Sequence, residues 1–488
     1  MNYIEALRND LIKTTTEKGD TAFTTTGKYT LDLYSLMGGL RYNYYDLSNL
    51  FIRSYFEDST ITMKILLYLR DILNGLGERN SFRLLFNMFA NLNPNLAKKL
   101  IPLIPKHGRY DDILAGFNTP IENDVLKFIE TELDSDLNKL KNNDKVSLLA
   151  KWLPSINTSN KEARLLARKI AKYLNMTDEE YRKTLSKLRK GRILENYLRT
   201  KNYSFNYEGV PSLAMLKYNK AFIRNDLERF SKYLDRVDSG LAKMNTNTAS
   251  VSDVAFIAQT HSYDINQRFQ DTYWKALPRF EAKTKAIVVR DGSSSMLYGR
   301  GSLVPMQVAT SLAIYFAEQL PEPFKNHFIT FSENPQLIKI PDVTIDEKLK
   351  FVESFDEVAN TNISKVYELL LNVAKKGRVK QEDMVEQVII ISDMEFDYCV
   401  EGESTFKTYK DKFNELGLKM PELVFWNVEA RDVHFPVTSN ELGVRLVSGS
   451  SQKILELVIN NDLEAATPYE FMLKTLERYR EVDDLVKK

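Results

Sequence analysis

Within its 488 residues the chain holds a single cysteine, Cys399, and only four histidines, His107, His261, His327 and His434. One thiol excludes a disulfide framework and a cysteine-based zinc cluster, and it fits a reducing compartment. Four scattered histidines leave little material for a His-rich metal site. Long apolar runs are missing too. No aliphatic stretch approaches the roughly 20 residues that span a bilayer, and the start, MNYIEALRND, has no apolar signal core. A soluble protein without a membrane partner is expected. An excess of one charge is also absent, with 67 Lys and Arg against 66 Asp and Glu.

That balance conceals a division. Residues 286–488 carry 23 basic and 33 acidic residues, a net of −10, which leaves +11 for residues 1–285. A sign change of this size suggests separate domains with separate partners, although two oppositely charged lobes could also simply dock. The first half reads as helices joined by short polar breaks, with apolar residues at three- and four-residue spacing along 61–73 and in the segments 81–89, 121–134, 145–152, 161–174, 178–198 and 219–236. Such helix pairs suggest a HEAT-like layer, though without a fixed repeat length. From Lys285 the pattern changes to short apolar strands alternating with amphipathic helices. Runs such as Val388-Ile-Ile-Ile391 need burial on both faces, which a parallel sheet flanked by helices supplies. The expected architecture is therefore multidomain: an all-helical domain over 1–284, a doubly wound parallel-sheet α/β domain over 285–466, and a C-terminal helical tail over 467–488.

Function in a doubly wound sheet belongs at the carboxyl ends of its strands. Strand Ala286–Arg290 runs into Asp291-Gly-Ser293-Ser-Ser295, one carboxylate and two hydroxyls at alternate positions of a tight turn. About 70 residues later Thr361 offers a hydroxyl before a helix, and about 100 residues later Asp393 ends the strand Val388–Ser392. Hard oxygen donors of this kind suit Mg²⁺ or Mn²⁺. The alternative makes the serines turn and cap residues and satisfies both aspartates with backbone amides. Asp356, Glu357, Glu395 and Asp397 read as a solvated acidic rim, with Glu395 able to support the site from behind. Arg290 stands beside the site and would weaken its hold on a cation. The motif contains no general base, nucleophile or histidine, so it reads as a binding device.

A second feature lies in residues 181–201, where eight Lys and Arg oppose Glu195 alone. A concentrated cationic face attracts phosphate backbones by counterion release. Lys151, Arg182, Lys183, Lys187, Arg189, Lys190 and Arg192 are the candidate RNA contacts, and Tyr181, Tyr197, Tyr203 and Tyr207 could stack on bases. An ordinary solvated helix face with its tyrosines in the core fits equally well. Trp152, Trp274 and Trp426 read as core anchors, Cys399 as a small apolar residue, and His107 as a capping or packing residue.

The Asp-x-Ser-x-Ser loop with Thr361 and Asp393 resembles the metal-ion-dependent adhesion site of a von Willebrand factor A domain. The whole chain resembles the TROVE architecture of Ro ribonucleoproteins, and more closely a Ro-related family of plants, fungi, bacteria and phages. The strings that carry this are Tyr68-Leu-Arg-Asp-Ile72, Gly77-Glu-Arg79, Ile104-Pro-Lys-His-Gly-Arg-Tyr-Asp-Asp-Ile113, Lys151-Trp-Leu-Pro-Ser155, Tyr181-Arg-Lys183, Val210-Pro-Ser-Leu-Ala214, Phe328-Ile-Thr-Phe-Ser332, Asn360-Thr-Asn362, Ser392-Asp-Met394 and Val424-Phe-Trp-Asn427. The resemblance implies a TROVE-like helical domain that binds small structured RNAs or RNA ends, and an A domain with Mg²⁺ or Mn²⁺ on Asp291, Ser293, Ser295, Thr361 and Asp393. It implies a scaffold rather than an enzyme, with one metal position open to an acidic partner group and the tail folded back on the helical half. A structural or protein-interaction component, for example of a phage virion, is the competing expectation. Abundant Asn, Lys, Ile and Tyr hint at an AT-rich genome, such as that of a phage or low-GC bacterium, and the expected location is the cytoplasm or a virion.

Overall fold

The structure is a computed structural model; it describes residues 11–17, 19–190, 193–260, 264–301, 304–356, 363–396, 405–460 and 466–487. The chain divides into two compact units, one made of Met1–Ile65, Leu73–Leu76 and Pro211–Arg480, the other of Leu66–Ile72, Gly77–Val210 and Glu481–Lys488. No helix among the described residues is long and apolar enough to cross a membrane.

The first unit is built on a six-stranded sheet of β3 (Ala286–Asp291), β4 (His327–Phe331), β5 (Leu337–Lys339), β6 (Gln387–Ser392), β7 (Glu422–Asn427) and β8 (Val444–Ser448), in the order β5-β4-β3-β6-β7-β8. All neighbours pair in parallel except β4 with β5, an antiparallel edge. The central strands β3 and β6 are buried on both faces, which explains their unbroken apolar runs. Ile287, Val289, Val388 and Ile390 point into a core with Ile363, Val366, Tyr367 and Phe413 from two helices on that side. Residues of opposite parity face the helix Pro305–Ala317, almost wholly buried between the sheet and the helix Val251–Thr260.

Residues preceding the helical region also serve this sheet. A small hairpin, β1 (Lys13–Thr15) with β2 (Thr21–Phe23), bridges to Phe435. The helix Tyr29–Leu36 is buried from Thr30 onward and ends at Gly38-Gly39. Glycine is required there: a Cβ on Gly38 would lie 2.6 Å from the Gly449 amide nitrogen, and one on Gly39 2.8 Å from Asn427 Oδ1. Asp32, in this helix, accepts hydrogen bonds from Thr25 Oγ1 and from the Thr26 amide and hydroxyl, yet burial still pushes its carboxyl up to about 6.

The second unit has helices joined by loops and no strand among its described residues, with Arg79–Leu92, Pro94–Leu100, Glu122–Lys141, Lys161–Tyr173 and Asp178–Arg189 as its main helices. Their starts follow from capping chemistry: Asn93 and Asn160 accept from the amides of Leu96 and Ala163, and Thr177 with Glu180 forms a capping box. The helix expected over 178–198 ends at Arg189, because Lys190 turns to extended backbone, and resumes at Leu194–Arg199. Likewise the segment 219–236 belongs to two helices, Ser212–Asn225 and Leu227–Asp238, which break at Asp226. The C-terminal tail is shared between the units. Pro468–Leu476 packs on Tyr29–Leu36 and β8 in the first unit, whereas Glu481–Lys487 packs on Pro94–Leu100 in the second, where Lys99 donates to the Leu485 carbonyl at 2.8 Å.

Candidate metal centre and nucleic-acid interface

Parallel pairing of β3 with β6 sets Arg290 opposite Ile391, so Asp291 and Asp393 emerge together at the carboxyl edge. Asp291 is fully buried; its Oδ2 accepts from Ser392 Oγ at 2.6 Å and its Oδ1 from the Ser293 amide at 2.9 Å. Ser293 Oγ and Ser295 Oγ lie 2.8 Å apart. Burial, then the charge of Asp393, pushes Asp291 up to about 6, with Ser392 pulling the other way. Asp393 is also buried. Its Oδ1 accepts from the Glu395 amide at 3.3 Å, while its Oδ2 has no hydrogen-bond partner among the described residues. Thr361 lies outside the described residues, as do Arg192, Cys399, His261, Glu357 and Asp397.

Two buried carboxylates, one of them with an oxygen that makes no hydrogen bond among the described residues, and two convergent hydroxyls form a hard-oxygen donor set that fits a divalent cation. No group of three or more His, Cys, Asp or Glu among the described residues forms a metal cluster, so hydroxyls and water would supply the remaining ligands. Arg290 stands beside the site as expected and its charge acts on Asp291, but its guanidinium is bonded elsewhere. Its opposite parity aims the guanidinium at Thr310 Oγ1 (3.4 Å), the Val352 carbonyl (3.2 Å) and the Asp356 carboxylate. Asp356 is consequently an ion-pair partner rather than a solvated rim residue. Glu395 departs from the rim as well: it is buried, its Oε2 accepts from the Glu17 amide at 3.0 Å, and its Oε1 lies 3.6 Å from His434 Nε2. Burial raises its carboxyl despite His434.

Arg431 joins this site without any motif to announce it. Its guanidinium donates to the Ser295 carbonyl at 2.5 Å and lies 3.5 Å from Asp393 Oδ2 and 3.4 Å from Glu17. Glu429, two residues earlier, is buried with Arg41 at 3.6 Å. Both follow β7, so their place at the functional edge could have been inferred from topology, but no motif marks them.

In the helical unit the basic residues separate into kinds. Arg189 donates to the carbonyls of Ala150 (2.7 Å) and Leu153 (2.8 Å) and to Ser155 Oγ (2.7 Å), which closes the short helix Leu149–Trp152. Arg182, Lys187 and Lys190 are exposed, and Lys183 pairs at 2.8 Å with Glu179 one turn away. Tyr181 and Tyr207 are core residues, not stacking platforms; the Tyr181 hydroxyl donates to the Pro154 carbonyl at 3.1 Å. Trp152 reverses its expectation too. It is half-buried, with the Arg109 guanidinium 3.8 Å and Lys151 Nζ 5.2 Å from its ring. His107 links Asp71 Oδ2 (3.2 Å) to Glu481 Oε1 (2.8 Å) in the tail.

Two family models match the chain, both described as domains of unknown function: DUF2828 over residues 123–284 and DUF7788 over 285–484. The chain is 28% identical over 508 residues to Uncharacterized protein L728 of Acanthamoeba polyphaga mimivirus, covering 95% of this chain and 87% of that protein. Among solved structures it is similar to the Ro (RSR) protein of Deinococcus radiodurans, with a TM-score of 0.50 and 13% identity over 85% of this chain and 94% of that one. The fold is therefore Ro-like: a helical region followed by a mixed, largely parallel sheet.

Proposed function

We propose that this protein is a non-enzymatic RNA-binding scaffold of Ro type, whose α/β unit is a von Willebrand factor A-like domain that binds Mg²⁺ or Mn²⁺. The observation that carries the RNA reading is a helix with Arg182, Lys183, Lys187 and Lys190 exposed, in a chain with the Ro-like fold. Lysines of this kind act as mobile point charges toward phosphates and release counterions on binding. In the α/β unit, Asp291 and Asp393 would hold the cation with the Ser293 and Ser295 hydroxyls, and the bound ion would supply a Lewis-acidic position for an acidic group of a partner. Asp393 Oδ2, buried without a hydrogen bond, supports that assignment.

The test is a salt titration of binding to single-stranded and structured RNA. Wild-type affinity should fall steeply with salt, with a logarithmic slope of about −0.7 per neutralised phosphate on single strands. Lys187→Glu with Lys190→Glu should weaken binding and flatten the slope. Equal binding by this variant and wild type would remove the helix face from the RNA reading, and RNA cleavage abolished by Asp393→Ala would overturn the non-enzymatic assignment.

A further inference from the structure

The loop around Arg109 gathers more guanidinium groups than its carboxylates neutralise. Buried Asp112 accepts from Arg70 Nε at 2.7 Å and from Arg83 Nε at 2.8 Å. Asp111 accepts from Arg109 Nη2 at 2.7 Å and Nε at 2.9 Å, and pairs with Arg83 Nη2 at 2.7 Å. Two aspartates thus serve three arginines. A fourth, Arg79, stands one helical turn before Arg83, and its side chain makes no hydrogen bond or ion pair with any described residue. Like charges at this spacing destabilise a helix by a few tenths of a kcal/mol, so packing gives Arg79 no reason to be basic.

Exposure is graded across the group. Side-chain exposure rises from 3% at Arg70 to 23% at Arg109 and 32% at Arg83, and Arg79 is exposed. The inner pair is structural, whereas the outer three guanidinium groups open to solvent. Burial, and then the adjacent charges of Arg109 and Arg83, hold the Arg79 pKa below its ordinary value, and the charges of Asp111 and Asp112, already engaged by the other arginines, only partly offset them. Beside them the Arg109 guanidinium stacks on half-buried Trp152. Planar guanidinium forks suit phosphate oxygens, and an aromatic ring next to them suits a base.

We propose that Arg79, Arg83 and Arg109 form an oxyanion site for a phosphate of single-stranded RNA, with the neighbouring base packed against Trp152. This deepens the RNA-binding reading and rests on it. The site is distinct from the exposed face of the helix Asp178–Arg189, so the two can be separated by mutation.

The experiment measures fluorescence anisotropy of short 5′-phosphorylated and 5′-hydroxyl RNAs, with tryptophan emission and inorganic pyrophosphate competition, on wild type, Arg79→Gln, Arg79→Glu and Trp152→Phe. Because the Arg79 side chain makes no bond with any described residue, its variants should keep the wild-type melting temperature. Arg79→Glu should weaken RNA binding about tenfold and pyrophosphate competition should be lost. RNA should quench emission in wild type but not in Trp152→Phe. A preference for the 5′-phosphate would assign a terminal phosphate and equal binding an internal one, either supporting the site. Wild-type affinity in Arg79→Glu, with loss in Lys187→Glu/Lys190→Glu, would overturn this site and leave the RNA reading intact. Absence of RNA binding by wild type would overturn both, and calorimetry with pyrophosphate would then show whether an oxyanion alone binds at Arg79.

Discussion

Replacing Asp393 by asparagine should have opposite effects on the metal-free and metal-loaded protein. In the metal-free state Asp291 and Asp393 are buried neighbours of like charge, and Asp291 is displaced from 3.8 to about 6. At 1.36 kcal/mol per pKa unit, holding Asp291 ionised at pH 7 costs about 3 kcal/mol. Burial is the largest cause and the charge of Asp393 the next, so Asp393→Asn should return part of this, on the order of 1 kcal/mol, to the metal-free protein. Loss of the 3.5 Å ion pair between Arg431 and Asp393 Oδ2 offsets a part of that gain. With Mg²⁺ at about 100 times its dissociation constant, wild type should gain about 2.7 kcal/mol, and the variant, with one carboxylate left, much less. Thermal unfolding of both proteins with EDTA and with Mg²⁺ reads all four states. The order of melting temperatures should therefore cross: variant above wild type in EDTA, below it in Mg²⁺. Parallel Mg²⁺ shifts in the two proteins would refute the metal assignment, and a variant no more stable in EDTA would refute the repulsion argument.

Three further outcomes follow from the same reasoning. Gly108→Ala would place a Cβ 2.8 Å from Asp112 Oδ2 and 2.9 Å from Arg70 Cγ, both buried, and should destabilise the helical unit by about 1–3 kcal/mol in urea unfolding; an unchanged midpoint would show that the Arg70–Asp112 pair yields freely. Arg189→Ala removes three hydrogen bonds to the 150–155 segment at about 1 kcal/mol each, so its main effect should be a lower melting temperature rather than a changed salt slope for RNA. For His107, burial lowers the pKa, but hydrogen bonds to Asp71 and Glu481 outweigh it and leave the value raised. Its stabilising contribution is then full below about 6.5 and lost as pH rises through the higher folded value. Amide exchange in 481–487, corrected for its intrinsic pH dependence, should accelerate across that window, and Glu481→Gln should remove the effect; identical profiles would dismiss the ion pair as a tail latch.

What could be read from the chain differs between the sites for a physical reason. Asp291, Ser293, Ser295 and Asp393 are tied to strand ends, and strand ends are visible because apolar runs such as Val388–Ile391 must stop where the sheet does. Arg431 and Glu429 act at the same edge but sit in a loop without periodicity, so their approach to Asp393 depends on how the residues after β7 turn. The basic stretch shows the opposite failure. Charge density was obvious, yet charge alone does not say whether a guanidinium faces water or caps a carbonyl, and Arg189 and Arg290 both turn inward where partners await them. Arg79 illustrates the remaining case. It looks ordinary in sequence, and only the convergence of Arg83 and Arg109 on two aspartates leaves it as a surplus charge. The net of +11 before residue 286 is therefore a poor guide to binding until buried, paired arginines are set aside. After that subtraction, the exposed Arg182, Lys187 and Lys190 and the open edge of the arginine cluster at Arg79 are among the groups able to meet a phosphate.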